Sequence, residues 1–151
     1  MTSTRPPHRE LRLVALVAAG GAVGSVGRYG VGLLLPHGTA QWPWGTFAVN
    51  LLGAFVLGWL LEALARRGPE SPRLRRTRLF FGTGVLGGFT TYSSLALDIS
   101  QLVDDGAWQV AASYAGATLL LGTLAGLLGI LLGLRTPPTV IGRLLRGQDG
   151  R

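Results

Sequence analysis

Gly82-Thr-Gly-Val-Leu-Gly-Gly-Phe-Thr-Thr-Tyr-Ser-Ser-Leu95 is the stretch on which the reading of this chain turns. It lies in an apolar segment long enough to cross a bilayer. A lipid-facing helix would carry Leu and Val there; this one carries Gly82, Gly84, Gly87 and Gly88, followed by Thr90, Thr91, Ser93 and Ser94. Glycine costs about 1 kcal/mol in a helix interior, so the helix is predicted to open at Gly87-Gly88. Unwound backbone at membrane depth is tolerated only where it faces protein or a wet cavity. Broken helices of this kind present free carbonyls and N–H groups to ions. The stretch therefore points to an ion site, although small residues also let helices pack closely, and both readings are open at this point.

The rest of the composition agrees with a membrane setting. Of 151 residues, 48% are hydrophobic and only 14% charged, and the mean hydropathy is +0.39. All 14 basic residues are arginine, and the net charge is +7. The arginines flank apolar runs and line no polar face, which argues against a nucleic-acid partner. Without cysteine there is no disulfide framework or thiolate metal site. His8 and His37 lie outside the apolar runs, and no nucleophile and base pair up, so enzyme chemistry is not expected.

Four apolar runs, about 11–35, 45–65, 79–103 and 107–134, are each long enough for a membrane helix, with polar tails at 1–10 and 135–151. The first continues well past the core of a signal peptide. Gly20, Gly24 and Gly27 give it a small-residue face. Arg28 is its internal charge, either snorkelling to the far interface or buried against carbonyls or an anion. Trp42 and Trp44 fit an interfacial belt. Asn50, in the second run, has both an amide donor and a carbonyl acceptor, and such residues commonly join membrane helices. Pro69 and Pro72 interrupt the basic connector 66–78. Asp104-Asp105-Gly106 reads as a tight turn. In the fourth run, Gly122, Gly126, Gly129 and Gly133 form two small-xxx-small pairs, and Tyr114 and Thr118 share one face.

With four crossings, both tails and the middle connector fall on one side. That side carries 13 arginines, and the other carries none. The positive-inside rule then places both termini in the cytoplasm, in the cell membrane.

Three motifs occur in order: Gly20-Gly-Ala-Val-Gly-Ser-Val-Gly-Arg-Tyr29, Gly45-Thr-Phe-Ala-Val-Asn-Leu-Leu-Gly53 and Gly87-Gly-Phe-Thr-Thr-Tyr-Ser-Ser94. Together the chain resembles the Fluc/CrcB family of small fluoride channels over about residues 11–134. The resemblance implies an all-α membrane protein with four transmembrane helices per subunit, the third broken near its middle, in an antiparallel dimer. It implies passive fluoride export that lowers cytoplasmic fluoride, and a structural Na⁺ held by the carbonyls of Gly87 and Thr90. By position, Tyr92 and Leu95 correspond to two aromatic pore-lining residues, Asn50 to a pore-lining amide and Arg28 to a vestibule arginine. Tyr114 and Thr118 correspond to a polar track. Thr91, Ser93 and Ser94 add hydroxyl donors for a strongly hydrated anion, and a ring edge at Tyr92 carries partial positive charge.

Leu95 departs from the family pattern, because Leu has no ring edge to offer. The one-sided arginines also conflict with an antiparallel homodimer. Both features favour a heterodimer with an oppositely oriented homologue, the alternative being a homodimer. They keep open a second function, a non-conducting structural subunit of a partner's channel. A four-helix drug exporter is disfavoured, since the first apolar run holds no carboxylate.

Overall fold

The computed structural model describes residues 10–137, and these are helical with no strand. The tail readings at 1–9 and 138–151, with Arg5, Arg9, Arg143, Arg146 and Arg151, lie outside the described residues. Three helices are long and apolar enough to cross a membrane: α1 (Leu11–Leu34), α2 (Trp44–Ala65) and α6 (Trp108–Arg135). Their 24, 22 and 28 residues give lengths of about 36, 33 and 42 Å at 1.5 Å per residue, against a hydrocarbon core of about 30 Å. Val23, Val26, Leu33, Leu119, Leu120, Leu127 and Leu131 are exposed on the single chain. Apolar surface on this scale marks a face that does not meet water, and the chain is a membrane protein.

Between α2 and α6 lies a composite segment, and here the sequence reading needs correction. The expected third span begins at 79 and opens at Gly87-Gly88. Instead, helix begins earlier with α3 (Pro72–Thr77). Pro72 occupies the first helical turn, where a missing N–H is no loss, and the Ser71 hydroxyl caps the Leu74 N–H at 3.2 Å. α3 runs into a π-helical stretch, Arg78–Leu86, and then into one short turn, α4 (Gly87–Phe89). Gly87 and Gly88 both stay helical. The chain opens at Thr90 (φ −75°, ψ 155°) and Thr91 (φ −151°, ψ 119°). It re-enters helix as α5 (Tyr92–Asp104). Gly106, at φ +74°, makes the anticipated turn into α6.

Close backbone contact explains why Gly88 is glycine although it does not open the helix. A Cβ on Gly88 would strike the carbonyl oxygen of Gly21, and one on Gly24 would strike that of Val85. α1 therefore packs backbone to backbone on the π stretch and α4. α2 and α6 pack in the same way, with Gly58 against the Gly126 carbonyl and Gly129 against that of Phe55. Gly122, by contrast, meets nothing.

Polar contacts identify the two ends of the bundle. At one end Arg75 pairs with Glu10 at 3.5 Å, Arg78 pairs with Glu70 at 2.8 Å, and Arg66 donates to the Leu134 carbonyl. At the other end the Ala40 N–H meets Asp105 Oδ2 at 3.4 Å. There Trp42 packs edge-on against Tyr114 and Phe47, with ring centroids 5.5 Å apart in each case.

Candidate ion site at the interrupted helix

α2 receives the interruption on one face. The Asn50 amide donates to the Thr91 carbonyl at 3.1 Å, and the Thr91 N–H donates to Asn50 Oδ1 at 2.8 Å. Asn50 thus supplies the two bonds that a neighbouring strand would supply to an extended residue. Three residues on, on the same face, Gly53 leaves room for the Thr90 methyl, which a Cβ there would strike. Thr91 is buried, and its hydroxyl caps α5 by accepting from the Ser94 N–H at 3.1 Å. The same hydroxyl donates to Ser94 Oγ at 3.1 Å and meets Ser93 Oγ at 3.1 Å.

These bonds determine which carbonyls are released. In an unbroken α-helix the Gly87 carbonyl would accept from the Thr91 N–H, and the Thr90 carbonyl from the Ser94 N–H. Here those two donors go to Asn50 and to the Thr91 hydroxyl. The Gly88 carbonyl accepts from Arg28 Nε at 3.2 Å, so the half-buried Arg28 on α1 lies against the turn just before the break. Gly87 and Thr90 are therefore left with hard, neutral oxygens deprived of their helical partners.

The remaining predicted residues divide between two surroundings. Tyr92 and Ser93 face outward, Tyr92 being 81% exposed on the single chain. Leu95, 7% exposed, turns inward onto Leu102, Ala111 and Tyr114. Tyr114, at 0%, and Thr118 are buried in that same interior, and the Thr118 hydroxyl donates back to the Tyr114 carbonyl at 2.7 Å. The structure thus joins Arg28, Asn50, Thr90 and Thr91 around the break and leaves Tyr92 and Ser93 at the surface. It sets Leu95, Tyr114 and Thr118 apart, inside the subunit.

One buried pair was not anticipated: the Tyr114 hydroxyl donates to Asp98 Oδ2 at 3.1 Å, and Asp98 is only 7% exposed. An acid within an apolar run needs a donor, and that was the available signal, but nothing in the sequence marked Tyr114 as the donor.

The family described as CrcB-like protein, Camphor Resistance (CrcB), matches residues 15–130. The chain belongs to the CrcB family. All the predicted site residues, from Arg28 to Thr118, fall inside the CrcB match. Among CrcB relatives, the chain is 47% identical over 131 residues to "Fluoride-specific ion channel FluC 2" of Leifsonia xyli, covering 87% of this chain and 90% of that one. It is 47% identical over 121 residues to "Fluoride-specific ion channel FluC" of Agrobacterium fabrum, covering 80% and 94%. To the protein of that name in Caulobacter vibrioides it is 47% identical over 119 residues, covering 78% and 91%.

Proposed function

We propose that this chain is a subunit of a fluoride-specific ion channel that lets fluoride leave the cytoplasm passively. The observation that carries the reading is the interruption at Thr90 and Thr91 in a chain whose relatives bear that name. Fluoride sheds tightly held water only where donors replace it. The Ser93 hydroxyl and the second hydrogen of the Asn50 amide are such donors, and the Tyr92 ring edge is electropositive. Arg28 raises the anion concentration nearby. Export needs no coupled energy source, because a negative interior drives the anion out.

The composite segment serves as a fourth crossing, and a second subunit in the opposite orientation covers the exposed Tyr92 and Ser93. Na⁺ fits the break: the carbonyls of Gly87 and Thr90 are hard oxygens without their helical N–H groups. A bound Na⁺ would tie the two interrupted segments together and offset the accumulated carbonyl dipoles. Both termini face the cytoplasm of the cell membrane. Because 13 arginines lie on that side, the partner is a homologous chain of opposite orientation. A second reading, a structural subunit completing the partner's pore, draws on Leu95, which faces the subunit interior.

Fluoride efflux from liposomes tests the proposal. Efflux with chloride excluded, from this chain alone or with its oppositely oriented homologue, supports the channel. Undiminished efflux when Tyr92 of this chain is replaced, in the mixed assembly, favours the structural subunit. No efflux from either preparation overturns both.

A further inference from the structure

At the arginine-rich end, the first turns of α1 and the short α3 enclose a cavity of about 480 Å³. Its charged lining is Arg12, Arg75, Arg76 and Glu10, and its apolar lining includes Leu13 and Leu16. Three arginines against one glutamate leave a net charge of two positive units. Among the described residues only Arg75 of the three is engaged, by Glu10 at 3.5 Å. Arg12 and Arg76 have no hydrogen bond or ion pair among the described residues. Two uncompensated guanidinium groups at one cavity repel each other and call for an anion.

The depth of the cavity indicates which anion. α1 is longer than the hydrocarbon core is thick, so its first turn lies at headgroup level. Arg12 is in that turn, and Leu16 is one turn deeper on the same face, about 6 Å along the axis. Positive charge therefore gives way to apolar surface over the distance separating a phospholipid's phosphate from the start of its acyl chains. Leu11 and Val14, both exposed, continue the apolar surface beside it. Guanidinium groups bind phosphate oxygens in pairs, and basic pockets between membrane helices take phosphorylated headgroups. A zwitterionic lipid would bring a second cation into an already positive cavity, whereas an anionic lipid brings none.

We propose that this cavity seats the phosphate of an anionic phospholipid, held by Arg12 and Arg76 with its acyl chains running along α1 past Leu16. The site is separate from the interruption at Thr90 and Thr91, and the inference requires only that the chain is embedded in a membrane.

Native mass spectrometry of the purified full-length protein reads lipid retention directly. The probes are phosphatidylglycerol, phosphatidylcholine and inorganic phosphate. Phosphatidylglycerol is expected to be retained in preference to phosphatidylcholine. R12Q/R76Q is expected to lower its affinity about thirtyfold, near fivefold for each arginine at a membrane surface, while R12K/R76K keeps most of it. If R12Q/R76Q does not fold, R76Q alone carries the same contrast at about fivefold. Equal retention of the two lipids, or no loss in the glutamine variants, overturns the proposal. Saturation by inorganic phosphate without lipid retention also overturns it, by showing a free-anion site.

Discussion

Asn50 and Thr91 are joined by two hydrogen bonds of opposite sense, at 3.1 and 2.8 Å, across 41 positions of sequence. The pairing makes an extended residue affordable inside an apolar bundle. Without it, Thr91 would leave a buried N–H and a buried carbonyl unmatched, at about 1–3 kcal/mol each. Asn50→Leu keeps the branched shape of the side chain and removes both bonds. It is expected to cost about 2–6 kcal/mol and to abolish fluoride efflux. Asn50→Asp retains the acceptor for the Thr91 N–H and should keep more of the fold. Thermal unfolding in detergent checks the order, and equal stability of the two variants would contradict it.

The adjacent glycines should respond in opposite ways. Gly88 lies against the Gly21 carbonyl, whereas a Cβ on Gly87 meets nothing within 4 Å. Gly88→Ala is expected to destabilise the subunit by about 1–3 kcal/mol through overpacking. Gly87→Ala should leave subunit stability nearly unchanged. Unfolding midpoints of the two variants decide the matter.

Tyr92 and Leu95, one helical turn apart, divide surface from interior. Tyr92→Ala should leave subunit folding intact and lower fluoride efflux. Leu95→Ala opens a cavity in the layer shared with Leu102, Ala111 and Tyr114, at about 2–5 kcal/mol. Parallel efflux and unfolding measurements separate the two effects, and a Leu95→Ala protein of unchanged stability would refute the interior assignment.

Tyr114→Phe removes the donor to the buried Asp98 carboxyl and should cost about 1–3 kcal/mol. Combining it with Asp98→Leu should restore part of that loss, because neither polar group then remains unmatched. A double-mutant cycle on unfolding free energies measures the coupling, and additivity within about 0.5 kcal/mol would show that the pair contributes little.

Much of this was legible in the sequence for identifiable reasons. Long apolar runs report membrane helices because few other structures tolerate them, and glycines three or four residues apart, Gly122 excepted, marked the faces on which α1 and α6 pack. The existence of a break was legible from glycines and hydroxyls in an apolar run, but its position was not. Glycine propensity pointed to Gly87-Gly88, where Gly88 packs tightly against α1 and the backbone stays helical. The opening falls instead at the residue whose N–H Asn50 captures, a contact from another helix that local sequence cannot encode. Gly82 and Gly84 set Arg78–Leu86 apart from a lipid-facing helix, but glycine serves close packing as readily as a widened turn, and nothing else in its composition specifies π geometry. Leu95 and Tyr114 are of types suited equally to a pore wall or a core, and only packing assigns them to the core.

The wide turns of Arg78–Leu86 also govern angular phase. Each residue advances an ordinary helix by about 100°, and a wider turn holds an additional residue before the same direction recurs. The azimuth at which Thr90 and Thr91 emerge is therefore dialled in upstream, away from the break itself. Excising a single residue from that coil would swing both threonines round the axis, away from Asn50 and Gly53, without altering any residue at the break itself.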